Sequence, residues 1–262
     1  MQLAKHVAQG KLTYLSQGKE AISVSENEHY RWLAFGSTYG NNNDEQVIQS
    51  IMLKRKPWKL TLPHQTALML PLLFFKPNNM VELGLGGGNI QRFIHSVSKH
   101  IALHSIEHSS VVIDCFNQYF NPQNNQAQVT YEDSKRWLQQ NTLDYDWYVC
   151  DVYQQDIQSY NSTVSQLEHL TASIKPTTCL SINLPDANDN EVNLLLTILK
   201  QLSTHHEITY FHIPNYLNIV IHLIPKQWQI YKRIKRNNHS YLPKNTFSRW
   251  KEFWQHGKKL PD

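Results

Sequence analysis

The sequence predicts an α/β fold: a mostly parallel seven-stranded sheet with helices on both faces, closed by an antiparallel hairpin and preceded by a small β-rich region. Three observations predict it. From Asn79 onward, short apolar runs alternate with amphipathic stretches, the pattern of a parallel sheet buried on both faces. The last two runs, 208–212 and 217–223, are separated by Ile213-Pro214-Asn215-Tyr216. That spacing allows a hairpin but no crossover, so the final strand runs antiparallel. The third is the string Gly84-Leu85-Gly86-Gly87-Gly88, between Met80-Val81-Glu82-Leu83 and Ile90-Gln91-Arg92-Phe93-Ile94. It reads as a strand, a glycine turn and a helix start, where an α/β protein brings bare backbone against a nucleotide.

The elements follow in order. Residues 18–53 are β-rich, with 21–24 and 30–35 flanking the polar Glu26-Asn27-Glu28 as a hairpin. Residues 41–44 form a loop, and 46–53 a third strand. Pro63 opens a helix through Phe74, placed where its missing N–H costs nothing. Strands are expected at 80–83, 101–107, 128–131, 147–151 and 179–184. Helices are expected between them at 90–98, 110–120, 134–140, 164–173 and 191–202. A parallel sheet ending in a hairpin is the methyltransferase type of Rossmann-like fold, and is not expected of a nicotinamide-binding domain. The organisation is therefore a β-rich region over 1–62, a Rossmann-like nucleoside-binding domain over 63–225 and a basic helical tail over 226–262.

The chain has 262 residues, of which 40% are hydrophobic and 18% charged, an ordinary globular composition. Its longest apolar run, Ala67 to Phe75, is interrupted by Pro71 and is too short to span a bilayer. The first residues lack the apolar stretch of a signal peptide. Cys115, Cys150 and Cys179 show no CxxC spacing and read as reduced, buried thiols. A cytoplasmic protein is expected. Net charge is +4, but residues 225–262 hold ten Lys/Arg against two Asp/Glu. That basic tail is either a solvated helix face or a contact for nucleic acid or an acidic partner. Phe247, Trp250 and Trp254 follow helical spacing in the tail and are expected to form a face that docks on the protein's own body, with a partner-binding helix as the alternative.

Glu82-x-Gly84-x-Gly86-x-Gly88 has the spacing of the first motif of S-adenosylmethionine-dependent enzymes. A dinucleotide GxGxxG fails here: the last position is Asn89 or Gln91. There is no Walker lysine either. Two further acids end successive strands. Glu107 is placed to accept both hydroxyls of a ribose. Asp133, with Ser134, either faces an adenine or caps the following helix. Asp151 ends the fourth strand at the crevice mouth, where an acid accepts a proton from an attacking amine or holds a cationic substrate. The alternative for Asp151 is a helix cap or a solvated strand end.

These residues, with the order of β-rich start, Rossmann core and closing hairpin, resemble the spermidine synthase family over roughly residues 30–225. Arg31-Trp32-Leu33-Ala34-Phe35-Gly36 is similar to that family's N-terminal strand, and residues 81–93 are similar to its bacterial members bearing GLGGG. Gln49 resembles the family's nucleoside-contacting glutamine, and His64 the histidine of its Tyr-His-Glu signature. Asp151 matches its catalytic aspartate, which deprotonates the amine acceptor. The resemblance implies aminopropyl transfer from decarboxylated S-adenosylmethionine to an amine without a metal, by a homodimer. Methyl transfer from S-adenosylmethionine and a non-catalytic nucleoside-binding role are the alternatives. The departures are Pro63 and Gln65 for the Tyr and Glu of that signature, Gly87 for an amine-binding aspartate, and Gln154 for a second aspartate after strand four. A polyamine carries several charges whose desolvation needs carboxylates. The nucleoside half of the site is thus preserved and the amine half is not, with Gln154 left facing the substrate and Asp156 a substitute acid.

Other patterns are set aside. His104-Ser105-Ile106-Glu107-His108 spells H-x-x-E-H, which binds zinc on a helix, but this segment is an expected strand. His205-His206 falls in an expected loop without partner ligands. Asn89 reads as a helix cap.

Overall fold

The computed structural model describes residues 7, 9–16, 21–36, 47–152, 160–185, 189–230, 233–234 and 241–260. Strands β1 (Lys11–Leu15), β2 (Ile22–Glu26), β3 (Tyr30–Phe35) and β4 (Val47–Leu53) form an antiparallel sheet in sequential order. The sequence pattern missed β1, whose residues are exposed or half-buried and so lack an apolar alternation. Ile22, Val24, Leu33 and Met52 from this sheet pack with Leu85 of the glycine turn and with Phe116 and Phe120. The small sheet is thereby seated directly over the turn.

After β4, Pro63 opens helix α1 (Pro63–Leu68). The helix expected to reach Phe74 stops short and continues as a 3-10 turn over Leu70–Leu73. Pro71 explains the break: it has no N–H for an α-helical bond and its ring crowds the preceding turn. The main sheet then begins with β5 (Asn79–Leu83) and continues through α2 (Asn89–Val97), β6 (Ala102–Glu107), α3 (Ser110–Cys115) and β7 (Gln128–Tyr131). The expected helix 110–120 is α-helical only to Cys115; Phe116–Phe120 is π-helical. Next come α4 (Ser134–Gln140), β8 (Trp147–Cys150), α5 (Tyr160–Ser173), β9 (Cys179–Leu184) and α6 (Asp189–Leu202). The chain closes with β10 (His206–His212), β11 (Ile219–Pro225), α7 (Lys244–Gln255) and β12 (Lys258–Lys259).

Strand order in the main sheet is β12-β10-β11-β9-β8-β5-β6-β7. Strands β5 to β9 pair in parallel, and β11 inserts antiparallel between β9 and β10. The expected hairpin is present, and the fold is the α/β class anticipated. The sheet has eight strands among the described residues where seven were expected. The extra one, β12, pairs Thr209 with Lys259 and Tyr210 with Lys258. Two lysines carry no strand signature, and it is the edge of β10 that supplies the pairing. His206 begins β10 with its ring buried and Nε2 2.9 Å from the Thr178 carbonyl, which corrects the loop expected at His205-His206.

The tail folds back on the sheet. Phe247, Trp250 and Trp254 are buried, with Trp254 edge-on to Phe74 at 5.1 Å and Trp250 tilted on Phe93 at 5.6 Å. Burying each such ring stabilises by about 1.5–3 kcal/mol. Within the basic run, Arg233 lies 5.4 Å from the Trp228 ring and Ile234 is buried. No helix among the described residues is long and apolar enough to cross a membrane.

The order β8-β5-β6 reverses chain direction across the sheet at β5, since β5 leads to β6 on one side while β8 docks on the other. Such a switch point leaves a crevice outside the carboxyl ends of the strands.

Candidate active site

That crevice is a cavity of about 250 Å³. It is floored by Glu82, Gly84, Leu85, Gly86 and Gly87, flanked by Glu107 and Asp151, and roofed by β4 through Val47 to Ser50. Four chemistry-bearing segments thus reach it from four different elements.

The glycine turn is built for close approach. Gly84 has φ +92°, and a Cβ there would lie 2.5 Å from the Asp151 carbonyl oxygen. Only glycine lets strand β5 turn this tightly beside β8. Gly86 has φ +51° and faces open space, so backbone is bared to the cavity. Gly88 serves packing instead: a side chain there would strike the Phe116 ring. Gly88 caps α2 in left-handed geometry and is absent from the cavity lining.

Glu107 ends β6 as expected and curls back under the turn. Its Oε2 accepts from the N–H groups of Leu85 at 3.0 Å and Gly86 at 3.4 Å. Its Oε1 accepts from Ser109 N–H at 3.0 Å and lies 3.1 Å from His108 Nδ1. Burial alone would raise this carboxyl's pKa. The His108 contact and the backbone donors outweigh burial and hold it below the usual range. It is a carboxylate fixed in place, with half-exposed His108 as its one side-chain partner among the described residues.

Glu82 lies deeper and is 1% exposed. Gln91 donates to Ser105 Oγ at 2.7 Å, and Ser105 donates to Glu82 Oε2 at 2.6 Å. Burial, with the charges of Asp151 and Glu107 adding, pushes Glu82 up to about 8 against the lowering effect of Ser105. Near neutral pH it is an acid that holds its proton at the cavity floor.

Asp151 follows β8, its N–H donating to the Leu83 carbonyl at 2.9 Å. Asn183 Nδ2 donates to Asp151 Oδ1 at 2.8 Å, and Asn218 Nδ2 donates to Asn183 Oδ1 at 3.1 Å. His64 Nε2, from the first turn of α1, stands 3.8 Å from Asp151 Oδ2. His64 Nδ1 and Gln49 Nε2 are buried without a hydrogen-bond partner.

A second buried network holds the turn from behind. Arg92 Nε donates to the Pro57 carbonyl at 2.7 Å and Nη1 to the Phe120 carbonyl at 2.7 Å. Arg92 also donates to the Gly87 carbonyl and to Asn89 Oδ1. Ser50 Oγ donates to Asn89 Oδ1 at 3.2 Å, while Asn89 Nδ2 donates to Gln65 Oε1 at 3.0 Å. Asn89 is therefore a buried junction rather than a helix cap; its amide is spent on β4 and α1, not on free helix N–H groups.

Of the residues expected in a site, Gln49, His64, Gly84, Gly86, Glu107 and Asp151 line one cavity. Asp133 and Ser134 do not: Asp133 is exposed and its Oδ1 accepts from Arg136 N–H at 2.9 Å, capping α4. Of the two readings the Asp-Ser pair allowed, the cap is the geometry observed. Gln154 and Asp156 lie outside the described residues. Asn183, Asn218 and Tyr216 were missed. Their signal is topological: the start of β11 pairs with the end of β9 beside β8, so residues at both ends reach the same mouth. The H-x-x-E-H pattern does not converge. His104 bonds Tyr145 Oη and Thr130 Oγ1, each at 2.8 Å, and no cluster of three metal-ligating side chains occurs among the described residues.

No family model and no curated protein sequence matches the chain. Solved structures do. A spermidine synthase bound to the transition-state analogue AdoDATO aligns over 91% of this chain and 83% of its own, with TM-score 0.62 and 12% identity. A probable spermidine synthase from Corynebacterium glutamicum aligns over 97% and 96%, with TM-score 0.64 and 13% identity. Human methyltransferase-like protein 13, in complex with SAH, aligns over 77% and 96%, with TM-score 0.53 and 15% identity. The alignments cover more of the chain for the synthases than for the methyltransferase. The chain thus has the spermidine synthase-like architecture, an N-terminal β-sheet on a class I methyltransferase fold.

Proposed function

We propose that the protein is a transferase that binds an adenosine sulfonium over the glycine turn and passes one carbon substituent to a nucleophile beside Asp151. The reading rests on one observation: the bare turn, the anchored Glu107 carboxylate and Asp151 share a single cavity. Glu107 accepts ribose hydroxyls when half-exposed His108 swings aside, because its other partners are backbone. Gly86 offers open backbone to the sugar and the sulfonium arm. Asp151, held by Asn183, faces the carbon undergoing displacement and takes the proton released as the new bond forms, an effect worth roughly 10²–10⁴-fold. Fixing nucleophile and carbon in line contributes further.

Aminopropyl transfer from decarboxylated S-adenosylmethionine is the preferred reaction. The synthase structures align over more of the chain than the methyltransferase does, and β4 of the N-terminal sheet roofs the cavity with Gln49 and Ser50. Methyl transfer from S-adenosylmethionine is the second reading, favoured by Gly87, which leaves no acid to repel the carboxylate of the intact nucleoside. The test is mass spectrometry of the nucleoside product. Methylthioadenosine identifies aminopropyl transfer and S-adenosylhomocysteine identifies methyl transfer. Asp151→Asn should lower turnover by roughly 10²–10⁴-fold while nucleoside affinity holds. Turnover unaffected by Asp151→Asn would overturn the role given to Asp151, and nucleoside binding without any turnover would leave a binding protein.

A further inference from the structure

Among the described residues, the acceptor half of the cavity is short of charge and specific in its hydrogen bonding. Among the described residues three carboxyl groups line the cavity: Glu82, Glu107 and Asp151. Glu107 is committed to the glycine turn and its own strand end. Glu82 holds a proton at neutral pH because burial raises it to about 8. Of the three positions where the resemblance places further acids, Gln65 has its Oε1 occupied by Asn89, Gly87 is crowded by Ser50, whose Oγ would sit 2.5 Å from any Cβ there, and Gln154 lies outside the described residues. Among the described residues Asp151 is the one carboxylate left to face the acceptor, and Asn183 occupies its Oδ1. A chain with several ammonium groups would lose water without matching carboxylates, which is strongly unfavourable.

The remaining oxygen, Asp151 Oδ2, faces His64 Nε2 at 3.8 Å, too far for a hydrogen bond of their own. His64 Nδ1 is buried and without a partner. In the neutral ring the proton therefore sits on Nε2. On Nδ1 it would be an unsatisfied buried donor, and the Nε2 lone pair would confront the carboxylate. An atom bridging the two groups must donate to Asp151 Oδ2 and accept from His64 Nε2–H. An ammonium nitrogen has no lone pair with which to accept.

We infer that the acceptor is an uncharged X–H nucleophile, an alcohol or a weakly basic amine, seated between Asp151 Oδ2 and His64 Nε2–H, and not a polyammonium chain. This rests on the proposed sulfonium chemistry. Before reaction, X accepts from His64 and donates to Asp151. In the step, a lone pair of X forms the bond to the sulfonium's carbon: an alcohol uses its second pair, and an amine gives up its bond from His64 as it attacks. The C–S bond breaks with its electron pair staying on sulfur, which becomes a neutral thioether. The X–H proton passes to Asp151 Oδ2. Apolar side chains of Phe35, Val47 and Leu62 line the same cavity and suit an acceptor with an apolar body.

The experiment uses the full chain with decarboxylated and intact S-adenosylmethionine in turn. Calorimetry first establishes nucleoside binding. Thioether release is then measured with benzyl alcohol and aniline as uncharged probes, and with putrescine and spermidine as polycations. The inference expects kcat/KM for an uncharged probe at least tenfold above both polycations. It also expects His64→Phe to cut that value at least tenfold with nucleoside affinity changed less than twofold. Preference for a polycation, no turnover of the uncharged probes by a nucleoside-bound protein, or indifference to His64→Phe overturns it and leaves the sulfonium reading standing. Failure of both nucleosides to bind overturns that reading and the inference together.

Discussion

Adding a single methyl group at Gly87 tests how tightly the glycine turn is pinned beneath the small sheet. A Cβ at position 87 would lie 2.5 Å from Ser50 Oγ, 2.8 Å from Ser50 Cβ and 3.4 Å from a Phe120 ring carbon. Ser50 is 2% exposed, belongs to β4 and bonds to Asn89, so it has little room to retreat. Gly87 is outside the left-handed region, unlike Gly84, Gly86 and Gly88. Alanine is therefore not strained by backbone and would gain about 0.4–1 kcal/mol from a less flexible unfolded chain. Overpacking opposes it at about 1–3 kcal/mol. The clash wins, and Gly87→Ala should destabilise by about 1–2 kcal/mol, a fall in Tm of about 2–8 °C for a chain of this size. In a Ser50→Gly background both close contacts vanish and the same change should turn neutral or mildly stabilising. Urea denaturation of the four proteins measures the coupling, expected at about 1–3 kcal/mol. Equal effects of Gly87→Ala in both backgrounds, or a gain in stability with Ser50 present, would refute the packing argument. The same contact explains why an amine-binding aspartate has no space here.

Two other perturbations read the cavity's polar supports. Arg92 is 5% exposed and its bonding partners are carbonyl and amide oxygens; burial lowers its pKa, with Glu82 only partly compensating. Arg92→Lys loses the planar fork that reaches four acceptors and should cost about 2–3 kcal/mol in urea denaturation, Arg92→Met more. Glu82, raised to about 8 from an ordinary 4.5, binds a proton in the folded chain that the unfolded chain has lost. Its contribution is full below pH 4.5 and declines as pH rises to about 8, by up to about 1.4 kcal/mol per pH unit. Glu82→Gln should remove that component of the slope and gain relative stability at pH 8. An unchanged stability–pH profile would show Glu82 ionised when folded.

Much of this was legible in the sequence because it depends on local patterning. Alternation of apolar runs gave the parallel strands, and the four-residue link between the last two gave the hairpin. The glycine string gave the turn, and the acids at the end of β6 and just after β8 gave Glu107 and Asp151, since strand ends in a parallel sheet share one edge. What escaped depends on contacts distant in sequence. Strand β12 exists because β10 has a free edge. Asn183 and Asn218 reach Asp151 through the register of β9 with β11, which composition does not encode. The junction at Asn89 joins β4, α1 and α2, and no helix pattern announces it. Asp133 could be read two ways from sequence because a helix cap and an adenine contact use the same carboxylate.

The claim beneath all of this is that the turn at residues 84–88, with Glu107 beneath it, holds an adenosine sulfonium. Calorimetric titration of the protein with decarboxylated S-adenosylmethionine, S-adenosylmethionine and methylthioadenosine, repeated on Glu107→Gln, measures it directly. Micromolar or tighter binding of at least one nucleoside is expected, weakened about 10–100-fold by the variant through loss of a charge-assisted bond worth about 1.5–3 kcal/mol. Absence of binding by all three, or equal affinity in Glu107→Gln, would contradict the account.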